Sequence, residues 1–132
     1  MRTIKYRGLS KNGWVYGLPF YSQGTSEWKI VKSNGWTPKY NNPDEGESNE
    51  FINVDAETIG QFTGLHDKNG KEIYEGDIVE YNQEYIGEIQ YWVGQICVGY
   101  RYKSNNVTFP LKIGNAISME VIGNIHENPE LL

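Results

Sequence analysis

The sequence holds a single cysteine, Cys97, and two histidines, His66 and His126, in 132 residues. One thiol excludes an intrachain disulfide framework, and two imidazoles cannot complete a Cys/His set for structural zinc. A reducing compartment is the expected setting. Long apolar runs are also missing, since no stretch approaches the roughly 18 residues of a membrane span. The opening Met1-Arg2-Thr3-Ile4-Lys5-Tyr6-Arg7 lacks the apolar segment of a signal peptide. These absences predict a cytoplasmic protein without membrane contact. No glycine-rich phosphate loop follows a strand and opens a helix, and no serine sits in a nucleophile elbow. No catalytic residue, cofactor or metal is therefore expected, and the chain reads as something other than an enzyme.

What the chain does have is aromatic side chains and turn formers, with ten Tyr, four Trp and fifteen Gly. Aromatic and β-branched residues favour pleated, half-buried surfaces. A chain of this length buries roughly two thirds of its extended surface on folding, enough for one domain or two joined subdomains. The densest stretch is residues 58–81, TIGQFTGLHDKNGKEIYEGDIVEY. Asn69-Gly70 lies between Gln61–Leu65 and Ile73–Tyr81, a strong hairpin signal because both central turn positions of a two-residue loop need positive φ. Glu75-Gly76-Asp77 supplies a second bend.

Asn12-Gly13 repeats the hairpin logic between Ile4–Leu9 and Trp14–Leu18, with Ile4, Tyr6, Trp14 and Tyr16 expected on one face and Lys5 and Arg7 on the other. Pro19 and Gly24 suggest a connection after Leu18, Glu27–Lys32 a strand, and Asn34-Gly35 a third reversal weakened by Pro38. Residues 41–50, NNPDEGESNE, carry no large apolar side chain and read as an exposed, mobile acidic loop. Asp55 is a candidate N-cap for one helical turn before Gly60. From Ile73 the pattern becomes that of a small barrel. Ile89, Tyr91 and Val93 share a face, and Ile96, Val98, Tyr100 and Tyr102 alternate with polar or small residues as a central strand should. A short strand over Val107–Leu111 and a closing strand through Met119, Val121 and Ile125, bent near Gly123, complete the count. The predicted fold is mainly β, with an N-terminal hairpin subdomain over 1–57, a central hairpin and SH3-like barrel over 58–126, a tail over 127–132, and at most a short helical turn.

Charge is distributed unevenly around the net value of −5: residues 1–40 hold seven Lys/Arg and one acid, residues 41–80 two and eleven, residues 81–132 three and five. Opposite-sign surfaces that pack within or between subunits account for this most simply. The sharper alternative is a nucleic-acid face built from Lys5, Arg7, Lys11, Lys29 and Lys32 with neighbouring aromatics, in a barrel of nucleic-acid-binding type. Overall acidity disfavours it, because phosphate neutralisation dominates such affinities.

The remaining candidates have plain structural readings. Glu72, Glu75 and Asp77 could gather as carboxylates, but Asp77 is better placed to cap the turn by accepting backbone N–H bonds. Asp67-Lys68-Asn69-Gly70 lacks the alternating ligands and distal glutamate of a calcium loop. His66 and His126 read as surface residues, Cys97 as a packed or surface thiol. Trp14, Trp28, Trp36 and Trp92 with Tyr21, Tyr40 and Tyr85 exceed what a small core holds, which leaves a seam between subdomains, subunit contacts or a stacking platform.

The central block also carries a resemblance. Thr58, Gly60, Thr63-Gly64-Leu65, Asp67, Asn69-Gly70-Lys71, Ile73 and Glu75-Gly76-Asp77-Ile78-Val79 resemble the signature of the YopX family of bacteriophage and prophage proteins. Tyr6-Arg7-Gly8 with Gly13-Trp14-Val15-Tyr16-Gly17 resembles the family's opening, and Glu120-Val121-Ile122-Gly123-Asn124-Ile125 with Glu127-Asn128-Pro129-Glu130-Leu131-Leu132 its closing. Residues 19–50 and 82–118 match loosely, and Ala56 stands where the family often has proline. The resemblance implies a β-rich phage protein of undetermined biochemical role with a C-terminal SH3-like barrel and a tendency to form homo-oligomers. It would act in the bacterial host cytoplasm through contacts with itself or with a phage or host protein.

Overall fold

The computed structural model describes residues 4–32, 38–39, 42–46, 51–83, 85–92, 95–102, 105–110 and 113–132. Asn34-Gly35, Trp36 and Tyr40 lie outside them. Strands predominate among the described residues and no helix there reaches seven residues, so the mainly β class holds. The chain divides into two compact units, residues 5–60 and residues 61–132 with 1–4.

In the first unit, β1 (Tyr6–Ser10), β2 (Gly13–Ser22), β3 (Glu27–Lys32) and β6 (Phe51–Asn53) lie side by side in the order β6-β3-β2-β1. Ser10 faces Gly13, so the reversal is centred on Lys11-Asn12, and Gly13 takes the positive φ of 116° that a side chain would resist. The Ser10 hydroxyl donates to the Gly13 carbonyl and accepts from the Asn12 N–H, holding the turn. This register overturns the expected facing. An even loop sets odd positions of β1 opposite even positions of β2, so Arg7 pairs with Tyr16 and Leu9 with Trp14 on a shared face. β2 also runs unbroken through Pro19, which faces Ile30, because a strand tolerates proline where the ladder does not need its N–H.

The core of this unit lies on the opposite face. Ile30 and Val15 are buried, and a Cβ on Gly8 would come within 2.9 Å of Ile30 Cδ1 and Val54 Cβ, so glycine there lets β1 close on its neighbours. Val54 N–H donates to the Trp28 carbonyl and Asp55 N–H to the Leu9 carbonyl, which ties the segment after β6 to both β3 and β1. Asp55 caps the turn Ala56–Thr58 through Oδ1, and the buried Thr58 hydroxyl accepts the Leu9 N–H. Within the stretch read as an acidic loop, residues 42–46 form β5, paired with β4 (Pro38–Lys39) as a separate two-stranded ladder. Backbone pairing at a hairpin needs no apolar side chain, which is why composition did not show it.

The second unit starts with the hairpin of β7 (Gly60–His66) and β8 (Glu72–Tyr74), bulged at Gly64 with φ 83°. β9 (Asp77–Tyr81), β10 (Tyr85–Trp92), β11 (Gln95–Tyr102), β12 (Asn105–Pro110) and β13 (Met119–Asn124) form an antiparallel sheet in the order β12-β11-β10-β9-β13. β11 is interior but β10 is the middle strand. β12 and β13 are the two edges, and among the described residues no closure into the expected SH3-like barrel is seen. Ile73, Val79, Ile89, Met119 and Ala116 form the core cluster, the last supplied by the α-helical turn α1 (Ile113–Ala116). Helical turns thus number three among the described residues, the third being Pro129–Leu131, where the expected tail is tied back by an Asn128 N–H bond to the Asn124 carbonyl.

Candidate interaction surface

The block 58–81 is the first place to look for chemistry, and its two buried aspartates are spent on backbone. Asp67 is buried; Oδ1 accepts from the N–H groups of Asn69 (2.8 Å) and Lys71 (2.9 Å), and Oδ2 from Val121 (3.0 Å). The adjacent Lys68 N–H bonds the Met119 carbonyl. One carboxylate therefore shapes the hairpin and fastens it to the outer edge of β13. Only Gly70, at φ 79°, is left-handed in this turn; Asn69 is not, because the Asp67 cap replaces the two-residue turn that Asn-Gly suggests. Asp77 is also buried and accepts the Tyr74 N–H at 2.7 Å, the turn cap expected of it. Glu72 meets the Tyr74 hydroxyl at 3.2 Å. No group of three or more His, Cys, Asp or Glu that could hold a metal occurs among the described residues.

A second network was not anticipated from the sequence. Asn124 Oδ1 accepts from His126 and Glu127 N–H, its Nδ2 donates to Glu127 Oε1, and its own N–H donates to Asn128 Oδ1. Ile125 N–H bonds the Gly76 carbonyl, and Gly76 N–H bonds the Ile89 carbonyl. The signal was present in the spacing of Asn124 and Asn128, which is that of an Asx turn followed by a cap.

Of the cations proposed for a nucleic-acid face, Lys5, Arg7, Lys11 and Lys29 have described side chains. Arg7 is buried with its guanidinium 4.3 Å from the centroid of the Trp14 ring, a cation–π contact. Lys29 is largely covered; its Nζ donates to Asn53 Oδ1 at 2.7 Å and lies 3.9 Å from Glu27 Oε2. Lys11 is exposed at the first turn. Lys5 precedes β1, and the side chain of Lys32 lies outside those described. Lys11 and Lys29 both line an open groove of about 790 Å³ whose walls include Leu9, Trp28, Phe51 and Asp55.

Aromatic and aliphatic side chains gather. Leu18, Val31 and Phe51 lie directly across β2, β3 and β6 as one row, with Leu18 55% and Phe51 53% exposed. Phe20 packs edge-on against Phe51 with ring centroids 5.4 Å apart, and Tyr16, 43% exposed, continues the same face toward Arg7 and Trp14. Near the other end of the sheet, Tyr21 and Trp28 face each other across β2 and β3 at 5.7 Å, both exposed. Trp92 sits in β10 with its side chain outside those described, and Tyr85 is half-buried against the core of the second unit.

The two antiparallel β units define a β-rich protein, and no helix among the described residues is long and apolar enough to cross a membrane. The chain belongs to the YopX family, whose model, described as YopX protein, matches residues 5–132. It is similar in structure to protein EF1440 from Enterococcus faecalis, with a TM-score of 0.58 and 29% identity over 100% of this chain and 99% of that one. No curated protein matches the chain.

Proposed function

We propose that the chain is a non-enzymatic accessory protein of a bacteriophage or prophage, working in the bacterial cytoplasm through protein–protein contacts that include its own copies. The observation that carries this is the row Leu18–Val31–Phe51 flanked by Tyr16 and Phe20. Contiguous apolar surface of this kind on a folded chain marks an interaction site, and aromatic side chains are what interface cores are rich in. Two charges near the row are already engaged, Lys29 by Asn53 and Glu27 and Arg7 by Trp14, which favours an uncharged partner surface over a phosphate backbone. The second unit serves as the scaffold in this reading, an SH3-like barrel in its finer classification. Support for that lies in a four-strand meander whose first strand, β9, also pairs with the last, β13, after a helical turn.

Sedimentation velocity across micromolar concentrations tests the proposal. Self-association that Leu18→Glu and Phe51→Glu abolish, without loss of fold by circular dichroism, is the expected outcome. A pure monomer throughout, together with binding to single-stranded DNA or RNA that weakens steeply with salt, would replace it with the nucleic-acid reading.

A further inference from the structure

The tripeptide Lys-Asn-Gly occurs twice, at Lys11-Asn12-Gly13 and at Lys68-Asn69-Gly70. Glycine after asparagine leaves its backbone nitrogen unhindered, so both sites share the same intrinsic tendency to deamidate. The Gly nitrogen attacks the Asn Cγ and forms an N–Cγ bond. The Cγ–NH2 bond then breaks and ammonia leaves with the proton lost from that nitrogen. Water opens the resulting succinimide at one carbonyl or the other, giving aspartate or isoaspartate. The step needs no oxidant or cofactor, only water and freedom of the turn to bring nitrogen and Cγ together.

We infer that the fold separates these two chemically equal sites, making Asn12 the modification site and protecting Asn69. Around Asn69 the backbone is fixed at five points. Asn69 and Lys71 donate to Asp67 Oδ1, Gly70 donates to the Asp67 carbonyl at 3.0 Å, Asp67 donates to the Lys71 carbonyl at 2.8 Å, and Lys68 donates to the Met119 carbonyl. The nitrogen that must attack is itself engaged, and the turn is anchored to a strand some fifty residues away. Asn12 sits at an exposed hairpin tip whose ties are local: Ser10 pairs with Gly13 across the ladder, and the Ser10 hydroxyl donates to the Gly13 carbonyl at 2.8 Å and accepts the Asn12 N–H at 3.2 Å. Local opening is the reactive step, and a turn tied within its own hairpin opens more often than one also fastened to a distant strand by Lys68–Met119 and Val121–Asp67 bonds. Conversion at Asn12 would add a carboxylate beside Lys11 on the rim of the groove, so the modification alters the surface of the first unit and leaves the core of the second intact.

The test is peptide mapping by mass spectrometry of the intact chain incubated at mildly alkaline pH and 37 °C, with a parallel sample in concentrated guanidinium. In the native sample Asn12 should deamidate at least about tenfold faster than Asn69, while in denaturant the two rates converge. Asp67→Asn, checked for retained β structure by circular dichroism, should raise the Asn69 rate and leave Asn12 unchanged. Equal native rates at the two sites, or a faster rate at Asn69, would overturn the inference. So would a difference that persists in denaturant.

Discussion

Replacing Asp67 by alanine is the sharpest way to ask whether the block 58–81 is architecture or chemistry. The side chain is 5% exposed and accepts three backbone N–H groups at 2.8, 2.9 and 3.0 Å. A hydrogen bond to a charged group contributes about 1.5–3 kcal/mol, and an orphaned buried donor costs about 1–3 kcal/mol. The three bonds share one carboxylate, so they do not add fully, and a loss of about 3–4 kcal/mol is the working figure. For a chain of this size that corresponds to a fall in Tm of about 10–20 °C. Asp67→Asn keeps one carbonyl oxygen for part of the set and should lose about half as much. Urea and thermal unfolding followed by far-UV circular dichroism measure both. If the residue instead belonged to a reactive centre, its removal would leave stability unchanged or raise it, since functional sites trade stability for activity. A change below about 0.5 kcal/mol for Asp67→Ala would refute the staple.

The other expectations are more local. Gly123→Ala should cost about 1–3 kcal/mol, because a Cβ there falls 2.6 Å from Asn128 Oδ1 and displaces the cap on Asn124; equilibrium denaturation reads it. Ile89→Ala should cost about 2–5 kcal/mol as a cavity in the cluster with Ile73, Val79 and Met119, measured the same way. Leu18→Glu, at a 55% exposed position, should move stability by less than about 0.5 kcal/mol while changing the sedimentation coefficient at micromolar concentrations.

Much of the fold was readable along the chain because strands and tight turns are local. Period-two alternation identified β10 and β11, Gly123 marked the register shift in β13, and Asp55 and Asp77 were recognisable as caps because an Asx side chain bonds backbone within a few residues. Turn chemistry was less legible where no glycine advertised it. Asn82 and Gln83, both at positive φ between β9 and β10, carry no signal of comparable strength.

What no local pattern could settle was which side chains meet across the sheet. Whether Arg7 lies with Tyr16 and Trp14 or away from them depends on a loop of even or odd length, and one residue decides it for the whole strand. The role of Asp67 depends on Val121, fifty-four residues along the chain, and no periodicity encodes that distance. The apolar row Leu18–Val31–Phe51 likewise exists only once three strands separated in sequence take their register. Short-range backbone preferences write themselves into residue order, whereas a surface is a property of strands brought side by side, and its composition is known only when their pairing is.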